Sequence, residues 1–419
     1  MSDSDLYRTQ DLPGQQASAA PDQYVAADRL EGRLFHKLLV AINAPAGWPA
    51  WTIAAAASIP ILAAAGLWWI LTDGIHALYL GLVLAVFTLA DGLILLSLPR
   101  WRLSFGPLGP QLFQFELARL VVAALGAPLA AWLGPWPVLV GVVVINLAAS
   151  LALLWGAGVE PQWLALTHLP LAAAAFPSGA SPLRVLHVSD LHVERLGRRE
   201  ERLLRLARQA APDLILLTGD YVNLSYVDDP AAHADARRVL AALVPDGENA
   251  PPPQVYAVLG SPPVDRNSAP LFEGLPIRLL RDEVAVVDCG QDRRLALIGL
   301  DCTHDPEHDA RRLARLAARA PADLYRILLY HSPELMPVAP QFDIDLYVCG
   351  HTHGGQVRLP LYGALITSSS LGKRFEQGHY RSGNTHLYIS RGIGLEGMGA
   401  PRVRFLSPPE VILFSLTGE

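Results

Sequence analysis

Four stretches in the first part of the chain are apolar almost without interruption: Trp51–Leu71, His76–Leu98, Leu112–Gly134 and Val138–Ala157. Each has roughly the 20 residues that a helix needs to cross the hydrocarbon layer. Four consecutive segments of this kind are hard to reconcile with the buried helical core of a soluble protein. Trp48, Trp51, Trp68, Trp69, Trp101, Trp132, Trp136 and Trp155 cluster near their ends, where aromatic side chains anchor spans at the membrane interface. The pattern predicts a multi-pass α-helical membrane region over residues 48–158. Ahead of it, residues 1–25 are rich in Ser, Asp, Gln and Ala without a hydrophobic period and are expected to be disordered, with no secretory signal. Leu30, Leu34, Leu38 and Ile42 then recur at spacing four, as in an amphipathic helix lying on a membrane surface. Residues 1–47 therefore read as a tail followed by that helix.

Residues 159–182 read as a linker ending in Pro177-Ser-Gly-Ala-Ser-Pro182. The apolar run Trp163–Phe176 inside it is too short for an ordinary span and leaves a re-entrant segment open. From Leu183 to the end the pattern changes to short β-rich runs alternating with amphipathic helical stretches. Strands are expected at Arg184–Val188, Asp213–Leu217, Val255–Leu259, Tyr325–Tyr330 and Leu346–Cys349, among others, with helices at Glu200–Ala211, Ala231–Leu243 and Ala310–Ala318. This alternation predicts an α/β layered domain over 183–419.

Composition sharpens this division. Over 419 residues the chain is 51% hydrophobic and only 17% charged, with the apolar excess in the first 180 positions. A net charge of −6 without a Lys/Arg run argues against a nucleic-acid partner. Cys289, Cys302 and Cys349 form no disulfide framework and fit reduced thiols in the cytosol. Arg29, Arg33 and Lys37 precede the first span, and Arg100 and Arg102 lie between the second and third. The turns after the first and third spans carry no Lys or Arg. The positive-inside rule then places the N-terminus and the C-terminal domain in the cytoplasm, as for a multi-pass protein of a cell inner membrane. Asp91, Glu116 and Arg119 fall within spans; the simpler reading is that Glu116 and Arg119, three apart on one helix face, neutralise each other.

The chemistry stands at the ends of the predicted strands. Ser189-Asp190-Leu191-His192 follows the first strand, Thr218-Gly219-Asp220 the second and Tyr330-His331-Ser332 a later one. The run Asp345-Leu-Tyr-Val-Cys-Gly-His-Thr-His-Gly-Gly-Gln356 presents His351 and His353 on a glycine-framed turn. Polar side chains at the carboxyl ends of strands are where α/β sheets build sites. Asp190, His192, Asp220, His331, His351 and His353 form a nitrogen and oxygen donor set suited to Mn²⁺, Fe or Zn²⁺. They are more ligands than one ion needs, which points to two divalent ions bridged by one carboxylate.

This order of motifs resembles the calcineurin-like metallophosphoesterases, and within them the membrane-associated bacterial branch with the Gly-His-Thr-His-Gly-Gly-Gln ending. Ser390-Arg391-Gly392-Ile393-Gly394 and Pro408-Pro409-Glu410 extend the resemblance to about residue 417. It implies a layered β-sandwich flanked by helices. It also implies that Asp190, His192, Asp220 and His353 hold one metal, that Asp220, His331 and His351 hold the other, and that Asp220 and His331 are catalytic. Members of the family hydrolyse phosphomonoesters, phosphodiesters or pyrophosphates, and some cleave the pyrophosphate of UDP-diacylglucosamine. The chain departs from the family pattern at one place. Where the family has Gly-Asn-His-Asp or Gly-Asn-His-Glu, supplying a ligand to the second metal and a general acid, this chain reads Gly260-Ser261-Pro262-Pro263-Val264-Asp265. Ser261 and Asp265 are candidate replacement ligands, and His304 or His308 could approach from another loop.

Two functions compete on this basis. One is a membrane-anchored phosphoesterase acting on a phosphorylated small molecule or a lipid-linked substrate, with membrane lipid as its surroundings. The other is a catalytically impaired metallo-domain that binds a ligand and regulates a membrane process. The six intact ligands favour the enzyme.

Overall fold

The computed structural model describes residue 41 and residues 43–244, 252–396 and 402–418. The tail expected at 1–25 lies outside these residues, as does the amphipathic helix at 26–44 except for its last positions. Four long helices come first: α1 (Ala50–Leu71), α2 (Gly74–Ser97), α3 (Leu108–Leu133) and α4 (Pro135–Leu153). All four are long and apolar enough to cross a membrane. The turn from α1 into α2 is tight because Asp73 caps α2, accepting from the Ile75 and His76 amides at 3.0 Å each. Small residues let the helices approach: Ala64, Ala77, Ala123, Ala127 and Ala130 are buried between them, and Trp68 Nε1 donates to the Ala123 carbonyl at 2.8 Å. Ile59, Leu62, Leu82, Val86, Leu125, Val140 and Val144 face outward, an apolar surface that only lipid would cover.

The expected pairing of Glu116 with Arg119 is present, but as one part of a larger polar cluster inside the bundle. Arg119 of α3 donates to Asp91 of α2, to Asn146 Oδ1 of α4 at 2.6 Å and to Ser150 Oγ at 3.0 Å. Glu116 Oε1 stands 3.6 Å from Arg119 Nε, so the i,i+3 pair is the weaker part of a cluster closed across three helices.

The α/β part contains fourteen strands among the described residues: β1 (Ala165–Ala172), β2 (Leu183–Val188), β3 (Leu214–Leu217), β4 (Gln254–Ala257), β5 (Ile277–Leu279), β6 (Glu283–Asp288), β7 (Arg294–Gly299), β8 (Tyr325–Leu329), β9 (Leu346–Cys349), β10 (Arg358–Leu359), β11 (Gly363–Ala364), β12 (Gly378–Ser382), β13 (Thr385–Ile389) and β14 (Glu410–Thr417). Two six-stranded sheets run in the orders β1-β14-β2-β3-β4-β5 and β12-β13-β9-β8-β7-β6. They face each other across one core, with Val185, Leu214, Leu216 and Phe414 against Leu297, Ile327, Leu329, Leu346 and Val348. Because side chains alternate along a strand, Leu186, Ile215 and Leu217 point the other way, onto α5 (Arg198–Ala210) and α6 (Pro230–Ala242). Leu328, Tyr347 and Cys349 likewise point onto the side of the second sheet that carries α8 (Pro306–Ala317). A one-turn helix, α7 (Pro262–Asp265), follows β4. The result is an α/β sandwich with helices on both outer faces.

The segment 159–182 departs from the linker expectation. Ala165–Ala172 is the edge strand β1, paired in parallel with β14 in the register His168↔Leu413, so the Trp163–Phe176 run neither crosses nor re-enters a bilayer. Its apolar residues close the sandwich core instead, Leu171 and Phe176 among them. The bundle and the sandwich are in contact. Arg102 pairs with Glu201 at 2.9 Å, the Phe105 amide donates to Glu194 at 2.6 Å, and Glu194 also pairs with the buried Arg402.

Candidate metal centre

Strands β2, β3 and β4 of one sheet and β8 and β9 of the other end side by side, and every sequence-predicted ligand leaves one of these ends. Backbone bonds lock the ends together: the Asp190 amide donates to the Gly219 carbonyl at 3.0 Å, His192 to Asp220 at 2.9 Å and Gly350 to His331 at 2.9 Å. To aim side chains inward so soon after an extended strand, the backbone turns into the left-handed region. Asp190, His192, Asp220, His351 and His353 have φ of 51°, 41°, 57°, 71° and 51°. Strained non-glycine backbone of this kind collects at functional sites and is held there by its surroundings. Gly350 must be glycine, because a Cβ would come within 1.9 Å of Asp190 Oδ2 and 2.1 Å of Ser189 Oγ.

The structure brings all six residues together. His192 Nε2 and His353 Nε2 lie 3.1 Å apart, with Asp190 Oδ1 3.6 Å from His353 Nε2. Asp220 Oδ2 is 3.5 Å from His192 Nε2 and 3.3 Å from His331 Nε2, so it faces both halves of the cluster. His351 Nδ1 is 3.2 Å from His331 Nε2. Two ligand atoms each about 2.1 Å from one ion are separated by about 3.0–3.4 Å, so these spacings fit shared cations. Asp190 Oδ2 is buried without a hydrogen-bond partner, as a ligand oxygen would be. The sets Asp190, His192, His353 and Asp190, Asp220, His331 could each hold a metal ion, their donor atoms lying within 4.8 Å of one another.

The electrostatics suit metal binding. Burial opposes the charge on Asp220, but the His331, His192 and His351 imidazoles more than offset it and hold its carboxyl well below the usual range. Burial, with His304 and His331 nearby, pushes His351 down to about 3. Burial, His192 and the Arg404 guanidinium hold His353 well below its ordinary value. Both rings therefore stay neutral and available as ligands. His331 Nδ1 donates to the Thr218 carbonyl at 2.8 Å, which leaves Nε2 facing the cluster.

The replacement candidates divide. Ser261 Oγ lies 3.1 Å from His331 Nε2 and 3.5 Å from His351 Nδ1, on the side of the second set of ligands. Asp265 does not approach the centre. Its Oδ2 accepts from the Asp220 and Gly260 amides at 2.8 and 2.7 Å, and its Oδ1 from Tyr221 at 3.1 Å and Ser268 at 2.8 Å. It ties the loops together instead, its carboxyl raised to about 6 by burial and the charge of Asp220. The His304 ring lies 4.9 Å from the His351 ring, centre to centre and tilted by 40°, whereas His308 lies in the first turn of α8 with its amide on Asp305. One residue of the centre was not anticipated. Glu396 Oε2 stands 3.6 Å from His192 Nε2, and Glu396 with His192 and Asp220 forms a third set that could hold a metal. The Ser390–Gly394 run that leads to it was the available signal.

The calcineurin-like phosphoesterase family model matches residues 183–261. Phosphodiesterase YaeI of Escherichia coli (strain K12) is 30% identical over 272 residues, which cover 61% of this chain and 90% of that protein. An uncharacterized metallophosphoesterase of Bacillus subtilis (strain 168), YkuE, is 27% identical over 62% of this chain and 87% of its own length. UDP-2,3-diacylglucosamine pyrophosphatase LpxG of Chlamydia muridarum is 23% identical over 65% of this chain and 95% of its own. With its strand-end aspartates and histidines gathered in one buried cluster and this extent of likeness, the chain belongs to the calcineurin-like phosphoesterase family of metal-dependent hydrolases.

Proposed function

We propose that the protein is a membrane-anchored phosphoesterase that hydrolyses a phosphodiester or pyrophosphate at a centre of two divalent ions, Mn, Fe or Zn. The observation that carries this reading is the convergence of six ligand-type side chains from two sheets on one buried point, with Asp220 facing both halves. Asp190, His192, Asp220 and His353 would hold one ion, and Asp220, His331 and His351 the other. Bound there, such a pair would supply Lewis-acid polarisation of a phosphoryl oxygen and would lower the pKa of water.

The chain's own residues set the conditions for that chemistry. His351 and His353 enter neutral, and the ionised Asp220 offsets part of the metal charge. Ser261 offers a hydroxyl where the family has an amide ligand, and Pro262 has no proton to give to a leaving group. Absence of a general acid typically costs about 10²–10⁴-fold in rate, so turnover should be slow for poor leaving groups.

Lipid linkage of the substrate is supported by the contact between apolar bundle and sandwich, and by the likeness to a protein named for a diacylated nucleotide-sugar substrate. The basic loop with Arg100 and Arg102 packs on the sandwich through Arg102 and Phe105, which supports a cytoplasmic domain under the positive-inside rule in an inner membrane. The test is hydrolysis of a generic aryl phosphodiester by the purified full-length protein with and without Mn²⁺, beside His331→Ala. Metal-dependent turnover lost in the variant is expected. No turnover in a sample loaded with metal would overturn phosphodiester hydrolysis and leave a ligand-binding role.

A further inference from the structure

Among the described residues of the α/β part, the large apolar side chains left exposed are Val286, Leu359, Leu361, Tyr362, Leu365, Ile366 and Leu406. All but Val286 and Leu406 belong to one hairpin, β10–β11 and its continuation, and Leu406 adjoins it. Leu361 at the tip is as exposed as in an isolated residue, at 109%. Such a patch on an otherwise polar surface marks an interaction site.

Its position identifies what covers it. Val357, just before β10, packs against the cluster of Leu95, Leu98, Leu112, Leu153 and Ala157 at one end of the bundle. The Arg358 amide donates to the Phe405 carbonyl at 2.9 Å, fixing the base of the hairpin there. At about 3.3 Å per residue the tip lies within about 13 Å of that cluster. The headgroup layer that flanks the hydrocarbon core is about 5–8 Å thick on each side, well within that reach of the bundle end. Exposed Trp101 and Trp163 stand at the same end of the bundle, as interface anchors do. From the segment after the hairpin, Lys373 Nζ sits 3.4 Å from the centre of the Tyr362 ring and donates to the Tyr362 carbonyl, pairing an amphipathic ring with a cation suited to headgroup phosphate.

The hairpin also touches the metal centre. Gly355 of the His351–Gln356 turn has φ +82°, and a Cβ there would meet Ala364 Cβ at 2.4 Å and the Ile366 carbonyl at 2.7 Å. His351 Nε2 lies 3.3 Å from the Ser368 carbonyl.

We infer that the hairpin 357–366 inserts its apolar tip into the interfacial layer of the bilayer that α1–α4 cross, so that the metal centre works on phosphate groups at the membrane surface. This rests on the membrane-anchored phosphoesterase reading and adds the substrate's location. The occupant is lipid because the base of the hairpin packs on the end of the bundle through Val357, the end that also carries exposed Trp101 and Trp163.

The test uses the full-length protein in phosphatidylethanolamine–phosphatidylglycerol vesicles containing spin-labelled lipid. Leu361→Cys, Ile366→Cys and, as control, Asn384→Cys in the exposed β12–β13 turn are labelled with an environment-sensitive fluorophore, in a Cys289→Ser background. At least about twofold quenching at 361 and 366, with little at 384, is expected for insertion. Equal quenching at all three positions, or protection of 361 by cross-linking to a second copy or another protein, would overturn the inference. A second arm compares Leu361→Glu/Ile366→Glu with the unaltered protein. Hydrolysis of a bilayer-embedded phosphodiester should fall about tenfold while a soluble aryl phosphodiester is cleaved as before; equal loss on both substrates would overturn it. Absence of soluble-substrate hydrolysis in the unaltered protein would refute the phosphoesterase reading, and the quenching would still decide where the hairpin lies.

Discussion

The guanidinium of Arg404 lies 3.4 Å from Nδ1 of His353. Arg404 is buried, and it donates to the Arg391 and Ser407 carbonyls at 2.9 and 3.0 Å while its own amide donates to Gly156, just beyond α4. Glu160, in the segment leading from the bundle into β1, accepts from the neighbouring Leu406 and Ser407 amides at 3.1 and 2.6 Å. The end of the apolar bundle thus holds the loop beside a histidine of the candidate centre through one short segment, and Ser407 Oγ donates to the His353 carbonyl at 2.9 Å. With Nε2 turned to the centre, His353 Nδ1 carries the hydrogen and Arg404 has no acceptor for it, so Arg404 acts by holding the loop carbonyls around His353. Loss of such outer support typically weakens metal binding about 10–100-fold. Arg404→Gln should therefore lower affinity for Mn²⁺ by at least about tenfold in a calorimetric titration. Unchanged affinity would show that Arg404 only packs.

Glu396 brings a third carboxylate to the half of the centre that already has Asp190 and Asp220. Carboxylate oxygen favours harder ions such as Mn²⁺ over Zn²⁺. Glu396→Gln should weaken Mn²⁺ binding more than Zn²⁺ binding, read by competition between the two ions with metal analysis of the protein. An equal effect on both would count against coordination by Glu396.

The loop at Ser261 and Pro262 is where the chain gives up a ligand and a proton donor. Ser261 Oγ already points at His331 and His351, so a longer amide there reaches the same place. Ser261→Asn/Pro262→His should raise kcat on an aryl phosphodiester by about tenfold or more, within the range a general acid supplies. A variant that folds and binds metal but gains nothing would show that the loop is adapted to a different leaving group.

His187 lies on β2 beneath the centre, with Nε2 2.7 Å from Thr218 Oγ1, and burial pushes its imidazole down from 6.5 to about 3. The folded protein keeps this ring neutral while the unfolded chain protonates it below about 6.5. Stability is therefore unaffected by this group at neutral pH and falls as pH drops from about 6.5 toward about 3, by up to about 1.4 kcal/mol per pH unit. His187→Gln should show a smaller drop in thermal midpoint between about pH 7 and about pH 4.5 than the unaltered protein. Equal drops would assign the acid sensitivity elsewhere.

The layered α/β fold and the four apolar helices were legible because both depend on local pattern. Runs such as Leu214–Leu217 and Leu346–Cys349 are short and apolar, and the ligand types stand directly after them. What escaped depends on distant partners. Strand β1 pairs with β14, far along the chain (His168↔Leu413), and its Pro170 reads as a break because proline is tolerated mainly at sheet edges. The partners of Arg119 lie on two other helices, and nothing in the spacing of Glu116 and Arg119 announces Asp91, Asn146 or Ser150. Glu396 reaches the centre through a loop that has no ligand spacing of its own. From sequence Asp265 reads as an available ligand, because its four amide and hydroxyl donors come from three separate stretches of chain.

Electron paramagnetic resonance of the full-length protein loaded with Mn²⁺ decides whether Asp220 stands between two ions. Two ions per chain with an exchange-coupled spectrum are expected, and the coupling should be lost in Asp220→Asn. A single uncoupled Mn²⁺ per chain at saturating metal, unchanged by Asp220→Asn, would contradict it.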